Sequence, residues 1–210
     1  MKEIKRKQAN GHPYVDLGLP SGTLWAAMNV GASKPTEYGL YFQWGDIVGY
    51  NEDQIGKEPI GKRFEYSDYR WLSNNGDEYF SKYTKPSDKL DLEDDAAHIH
   101  MCGSWHMPTD EQTKELINAE NTKCDWIKMD GINGMKITSK KDKSKYIFIP
   151  ASGYAWDDEI FGIGDIGSLW SSMLNDDAYS LGQRLYFGPK GIRDGFSYRY
   201  YGFSIRGVIG

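Results

Sequence analysis

The sequence predicts a chain of mixed α and β structure, dominated by turns and short irregular strands around a Trp-rich core. Three observations lead there. Glycine supplies 24 of the 210 residues and aromatics 14%, with seven tryptophans, a composition suited to tight turns and packed rings. Helical periodicity is scarce, and the clearest helix-start signals follow Met107-Pro108. Short apolar runs bounded by Gly, Pro, Asn and Asp recur from Tyr14 to Val208, as strands do.

The elements follow in chain order. Residues 1–12 read as a flexible N-terminal segment. Residues 14–19 read as a strand, closed by a turn at Pro20-Ser21-Gly22, and residues 23–30 as a second apolar run. Residues 40–44 form a short aromatic segment, and residues 47–90, polar and aperiodic, a long surface excursion. A short helix is predicted around residues 92–98. The main helix starts at Thr109, which caps it; Gln112 completes a capping box, and Asp110 and Glu111 suit the N-terminal dipole. It runs through about Asn118 and buries Leu116 and Ile117. Strands are predicted at 124–129, 134–139 and 146–150, with a turn at Asp130-Gly131 and a Lys-rich tip at 140–145. Residues 146–149 are apolar on both faces, which predicts a central strand. Strands at 169–172, 178–187 and 203–208, separated by loops, close the chain. No internal repeat and no domain boundary interrupts residues 13–210, which read as one domain.

Net charge is −5 and the sequence pI about 5.4, which argues against nucleic-acid binding by phosphate neutralisation. No window has the apolar length of a transmembrane helix, so no membrane insertion is expected. The basic run Lys2, Lys5, Arg6, Lys7 has no apolar stretch behind it and does not read as a signal peptide. Cys102 and Cys124 are the two cysteines; one bridge or two free thiols are both open.

The richest segment is the last forty residues. Tyr179, Tyr186, Tyr198, Tyr200 and Tyr201 alternate there with Phe187, Phe196 and Phe203, spaced by Gly and Ser and charged by Arg184, Arg193 and Arg199. Tyr, Ser and Gly with a few Arg is the vocabulary of a paratope, where rigid amphipathic rings supply area at low entropic cost. A β-hairpin whose rings are core and cross-strand pairs is the alternative.

Ordered blocks of this chain resemble a known family. Val15-Asp16-Leu17-Gly18-Leu19-Pro20-Ser21-Gly22-Thr23-Leu24-Trp25-Ala26 is similar to the opening signature of the Fibrobacter succinogenes major paralogous domain, abundant in Bacteroidetes and their phages. Asn29-Val30-Gly31-Ala32, Tyr38-Gly39 and the Phe42–Gly45 stretch continue it. Asp94-Asp95-Ala96-Ala97, Gly103-Ser104-Trp105 and Met107-Pro108-Thr109 form a second block. Pro150-Ala151-Ser152-Gly153-Tyr154, Leu169-Trp170-Ser171-Ser172 and Tyr201-Gly202-Phe203-Ser204-Ile205-Arg206 form a third.

The resemblance implies an α+β, C-type-lectin-like fold, in the variant shared with formylglycine-generating enzymes and with variable proteins of diversity-generating retroelements. Two helices would pack on a small, twisted, mostly antiparallel sheet with long loops, and the ligand surface would lie on the C-terminal strands. In retroelement-diversified members, adenine-directed mutagenesis of AAC codons yields Tyr, Ser, Gly, Asp, Phe and Arg but never Lys, Gln, Glu, Met or Trp. Ser180, Gly182, Tyr186, Gly188, Asp194, Phe196, Tyr198, Tyr200 and Tyr201 fall within that set, between the scaffold-like Trp170, Ser171, Arg199, Gly202 and Arg206.

Other chemistries fit less well. His98, His100, His106 and Cys102 lack the spacing of a zinc site. Asp157-Asp158-Glu159 and Asp176-Asp177 could ligate calcium, but such loop pairs are usually solvated, and the lectin sugar motifs are missed at Glu58-Pro59-Ile60 and Leu174-Asn175-Asp176. Cys102 and Cys124 lie outside the C-terminal region where formylglycine-generating chemistry needs its reactive pair. Trp25, Trp44, Trp105 and Trp170 read as core, each with its N–H satisfied. Tyr200 and Tyr201 are adjacent, so in an extended segment at least one is exposed.

The expectation is therefore a ligand- or receptor-binding module on a phage virion or bacterial surface, or secreted, and not an enzyme. Its ligand residues are expected to be Tyr179, Ser180, Gly182, Arg184, Tyr186, Asp194, Phe196, Tyr198, Tyr200 and Tyr201. The partner is expected to be a protein or a cell-surface glycan, with no cofactor, metal or nucleic acid, and homo-oligomerisation stays open. The competing classes are a non-diversified surface or fimbrial structural domain and a formylglycine-generating-type enzyme.

Overall fold

The computed structural model describes residues 7–73 and 80–210; Lys2, Lys5 and Arg6 of the basic run, and positions 74–79 of the polar excursion, lie outside the described residues. The chain is α+β, with few helices and antiparallel strand pairs. Among the described residues, no helix is long and apolar enough to cross a membrane.

One sheet joins the two ends of the described chain: β1 (Gln8–Ala9), β2 (His12–Asp16), β3 (Leu24–Ala26) and β12 (Val208–Ile209), in the order β1-β2-β3-β12. Asn10 and Gly11 sit at φ 45° and 78°, and this Asn-Gly turn pairs Ala9 with His12. Residues 8–12, expected in the flexible segment, thus form the first hairpin. Trp105 Nε1 donates to the Ala9 carbonyl at 3.1 Å and pins it to the core.

Helix α1 (Ala96–Met101) is capped by Asp95, whose carboxylate accepts from His98 N, and α2 (Asp110–Ile117) carries the predicted reciprocal capping box of Thr109 and Gln112. Leu116 is fully buried. A meander follows, β4 (Thr122–Met129), β5 (Ile132–Ser139) and β6 (Tyr146–Pro150), turning at Asp130-Gly131. β6 is buried on both faces, yet it is an edge of its sheet and not the predicted central strand. Its Phe148 carbonyl accepts from Arg206 Nη2 at 2.9 Å, so a side chain stands where a further strand would pair.

A small hairpin, β7 (Tyr154–Trp156) and β8 (Glu159–Phe161), precedes the last sheet, β9 (Gly167–Leu174), β10 (Leu181–Gly188) and β11 (Gly191–Tyr198), ordered β11-β10-β9. β11 occupies a stretch expected to be loop. Pro189 and Lys190 bridge Gly188 and Gly191 in a two-residue turn, and the strand is mostly exposed, so it carries no apolar signature. Residues 203–208, expected as a strand, make isolated bridges at Phe203, Ser204 and Val208, and only Val208 belongs to a named strand.

Among the described residues, two large apolar clusters fill the interior, one around Trp44, Trp105, Trp170 and Phe203, the other around Trp25, Leu116, Ile137, Ile149 and Phe187, and a smaller one joins Tyr41, Ile55, Phe64 and Ala155. Trp44 donates to the Ser171 carbonyl at 2.9 Å and Trp170 to the Phe42 carbonyl at 2.8 Å. Trp25 departs from the expectation: among the described residues its buried Nε1 has no partner. The 47–90 region is also corrected. Ile55, Phe64, Tyr69, Phe80, Tyr83 and Leu90 are buried, so it packs on the core instead of running over the surface. Its apolar residues follow no helix or strand period, and no pattern reveals their burial.

Candidate functional site

The C-terminal surface is built around one inward-pointing residue. β11 ends at Tyr198, and Tyr201 N donates to the Tyr198 carbonyl at 3.1 Å, closing a β-turn over Tyr198-Arg199-Tyr200-Tyr201. Arg199 is fully buried. Its Nε donates to Tyr69 Oη at 2.7 Å, Nη1 to the Tyr83 and Tyr179 carbonyls at 3.0 and 3.2 Å, and Nη2 to the Lys82 carbonyl at 3.2 Å. The guanidinium lies over the rings of Phe80, Trp44 and Tyr69 at 4.3, 4.9 and 5.1 Å. Burial lowers its pKa, and the Tyr69 contacts oppose that shift. With Arg199 held inside, its neighbours face outward. Tyr198 is 50% exposed, while Tyr200 and Tyr201 are half-buried. The segment is a turn and not an extended strand, so the side chains of Tyr200 and Tyr201 do not simply alternate.

These tyrosines sit in a belt of rings. Tyr198 stacks on Tyr200 at 5.3 Å and 16°, and Tyr200 meets Tyr201 edge-on at 5.2 Å. Tyr201 stacks on Tyr154 at 5.9 Å, and Trp156, 45% exposed, lies 6.2 Å from Tyr201. In the other direction Tyr200 meets Tyr66 at 5.8 Å, Tyr66 meets Phe80 at 6.2 Å, and Phe80 meets Tyr179 at 6.1 Å. Tyr66, Phe80, Tyr154 and Trp156 come from segments that sequence reasoning did not assign to the binding surface. The one local signal was Tyr154 and Trp156 alternating ahead of the acidic turn Asp157-Asp158, with Phe161 stacked on Tyr154.

The predicted residues do not share one face. Arg184 pairs with Gly195, Leu185 with Asp194 and Tyr186 with Arg193. Arg184 and Tyr186 therefore flank Arg193 on one side of the sheet, while Asp194 and Phe196 lie on the side that carries Leu185 and Phe187. Gly182 is not a contact position either. It is buried, and a Cβ there would stand 2.8 Å from Trp44 Cδ1 and 3.0 Å from Trp170 Cζ3. Arg184 acts as a brace, donating from Nε to the Phe196 carbonyl at 3.2 Å and from Nη1 to Ser168 Oγ at 2.8 Å. Burial lowers its pKa as well. Tyr179 and Ser180 lie on a loop that Asn175 stabilises, its Oδ1 accepting from Asp177 N and Ala178 N, both at 3.0 Å.

The three histidines weighed for zinc each meet a backbone carbonyl of their own. His98 Nδ1 contacts the Trp105 carbonyl at 3.0 Å, His100 Nε2 the Ile47 carbonyl at 2.9 Å and His106 Nδ1 the Met107 carbonyl at 2.8 Å. Both cysteines are free thiols, and burial raises the Cys124 pKa. Asp91, Glu93 and Asp94 converge, but Lys82 Nζ stands among them at 2.8, 3.2 and 2.5 Å, where a metal ion would sit. Of the acidic loop residues, Asp157 and Asp158 meet Arg63, and Asp176 accepts from Ser87 Oγ at 2.6 Å.

No protein-family model, curated protein or solved structure matches the chain.

Proposed function

We propose that this chain is a ligand-binding module of C-type-lectin-like fold, one domain over about residues 13–210, resembling the variable proteins of diversity-generating retroelements. The observation that carries the reading is the Tyr198–Tyr201 turn, fastened by buried Arg199 and presenting three tyrosines beside exposed Trp156. Rigid rings on an immobile base lose little entropy on binding and suit hot spots. An α+β architecture with antiparallel sheets supports the fold assignment.

The contact surface in this reading is centred on Tyr179, Ser180, Tyr198, Tyr200 and Tyr201, joined by Tyr66, Tyr154 and Trp156; Tyr186 flanks it on one side of the β10–β11 pair, and Asp194 and Phe196 on the other. Gly182, Arg184 and Arg199 belong to the support. A protein or a surface glycan is the partner class, on a phage virion or bacterial surface.

The test is a displayed library in which Ser180, Asp194, Phe196, Tyr198 and Tyr200 are varied together. Most members should fold with melting temperatures near the parent's, and selection should yield binders to unrelated targets. If folding fails as often as in a matched library at Gly182, Arg199 and Gly202, the rings are core and the reading falls.

A further inference from the structure

At one end of the ring belt lies an open cavity of about 530 Å³, lined by Tyr66, Phe80, Tyr179, Tyr198, Tyr200 and the Asp177–Ser180 loop. That volume lies within the roughly 300–1,000 Å³ of small-molecule sites. Its walls stand at steep angles, Tyr66 to Tyr200 at 84°, Phe80 to Tyr179 at 87° and Tyr66 to Phe80 at 65°. Among the described residues, the one acidic residue lining it is Asp177, which is exposed. Among the described residues, no Lys or Arg lines it.

We infer that this cavity takes an alkylammonium cation, a deepening that rests on the binding-module reading. Ring faces carry negative potential, and several rings set around one space attract a cation more strongly than any one of them. Asp177, an exposed acidic residue of the lining, adds a matching charge, and the chain's net charge of −5 works in the same sense. Arg199 does not fill the place. It lies 4.3 Å from the Phe80 centroid, its guanidinium engaged by the buried acceptors named above, so Tyr66, Tyr179, Tyr198 and Tyr200 supply the remaining ring surface. The loop is set before binding, because Asn175 holds its amides and Arg199 Nη1 holds the Tyr179 carbonyl at 3.2 Å.

Two sources offer this chemistry, a choline headgroup and a lysine side chain. Choline and Nα-acetyl-lysine methylamide are titrated separately into the whole chain, each against its neutral isostere (the tert-butyl alcohol analogue and the norleucine derivative), with tyrosine ring NMR shifts as the readout. At least one cation should bind saturably and about tenfold or more tighter than its isostere, as a desolvated cation–π site requires. The tighter of the two identifies the source. Asp177→Asn and Tyr198→Ala should each weaken binding about threefold or more, with melting temperature unchanged because both side chains are exposed. Isosteres that bind as well as the cations overturn the inference. So does absence of binding by both cations, or affinity indifferent to both substitutions. A library that folds and yields binders while both cations fail removes this inference alone; cation binding with a library that does not fold removes the variable-surface reading and leaves the cation site.

Discussion

Tyr69 Oη accepts a hydrogen bond from Arg199 Nε at 2.7 Å and donates one to the Trp44 carbonyl at 2.8 Å. One hydroxyl thus ties the base of the tyrosine turn to the backbone of the Trp cluster. The outward tyrosines inherit their positions from this buried chain of bonds. Burial raises the Tyr69 pKa and keeps its proton available for the Trp44 carbonyl.

Arg199→Ala should cost about 3–5 kcal/mol, because it opens a cavity and leaves buried acceptors without a donor. Arg199→Met keeps the volume and removes the burial cost of the charge, so it should cost less, about 1–3 kcal/mol. Urea unfolding of the two variants against the parent gives both figures. Equal stability of all three proteins would remove Arg199 as the anchor.

Two glycines on paired strands should respond oppositely. Gly182→Ala pushes a methyl against Trp44 and Trp170, rings fixed in the core, and should destabilise by about 1–3 kcal/mol. At Gly195 an added Cβ meets nothing within 4 Å, and its φ lies outside the left-handed range. Gly195→Ala should be neutral or stabilise by up to about 1 kcal/mol. Thermal melts decide between them.

Tyrosine truncation should separate surface from support. Tyr198 is half exposed, so Tyr198→Ala should change stability by under about 0.5 kcal/mol. Tyr201 stacks on Tyr154 and meets Phe203 edge-on at 6.4 Å, so Tyr201→Ala should cost about 1 kcal/mol or more. The reverse order, measured by chemical denaturation, would place Tyr198 in the core.

Alkaline pH should expose the Tyr83–Asp94 contact. Tyr83 Oη donates to Asp94 Oδ2 at 2.6 Å, and burial first, then this bond, push its pKa up to about 12. An unfolded tyrosine titrates near about 10. The folded state therefore keeps a proton that the unfolded state has lost, and stability, full below pH about 10, falls as pH rises toward about 12. Lys82, raised by its bonds to Asp91 and then Asp94, declines in the same alkaline range. Urea midpoints followed across that range should show the fall, and Tyr83→Phe should make it shallower.

The acidic cluster should ignore divalent cations while Lys82 occupies it. Calcium should leave the parent's melting temperature unchanged, because the Lys82 ammonium occupies the space between Asp91, Glu93 and Asp94, and Arg70 already pairs Asp94. Lys82→Met should lower that temperature and make it rise with added calcium. A parent stabilised by calcium would show that the cluster holds a metal despite the lysine.

Local chemistry was legible in the sequence. The capping box at Thr109 and Gln112, the Asp130-Gly131 turn, the β4–β5–β6 meander and the burial of the scaffold tryptophans each depend on residues a few positions apart or on bulk alone. The concentration of tyrosines toward the C-terminus was legible for the same reason. What the tyrosines touch was not. Whether Asp194 shares a face with Arg184 depends on the register between β10 and β11, where a slip of one residue inverts every side chain. That Gly182 lies under Trp44, that β6 ends its sheet at Arg206, and that Tyr66, Phe80 and Trp156 complete the ring belt are contacts between distant segments. No local pattern encodes such contacts, because they form only when the sheets pack and leave each side chain the space its neighbours do not fill.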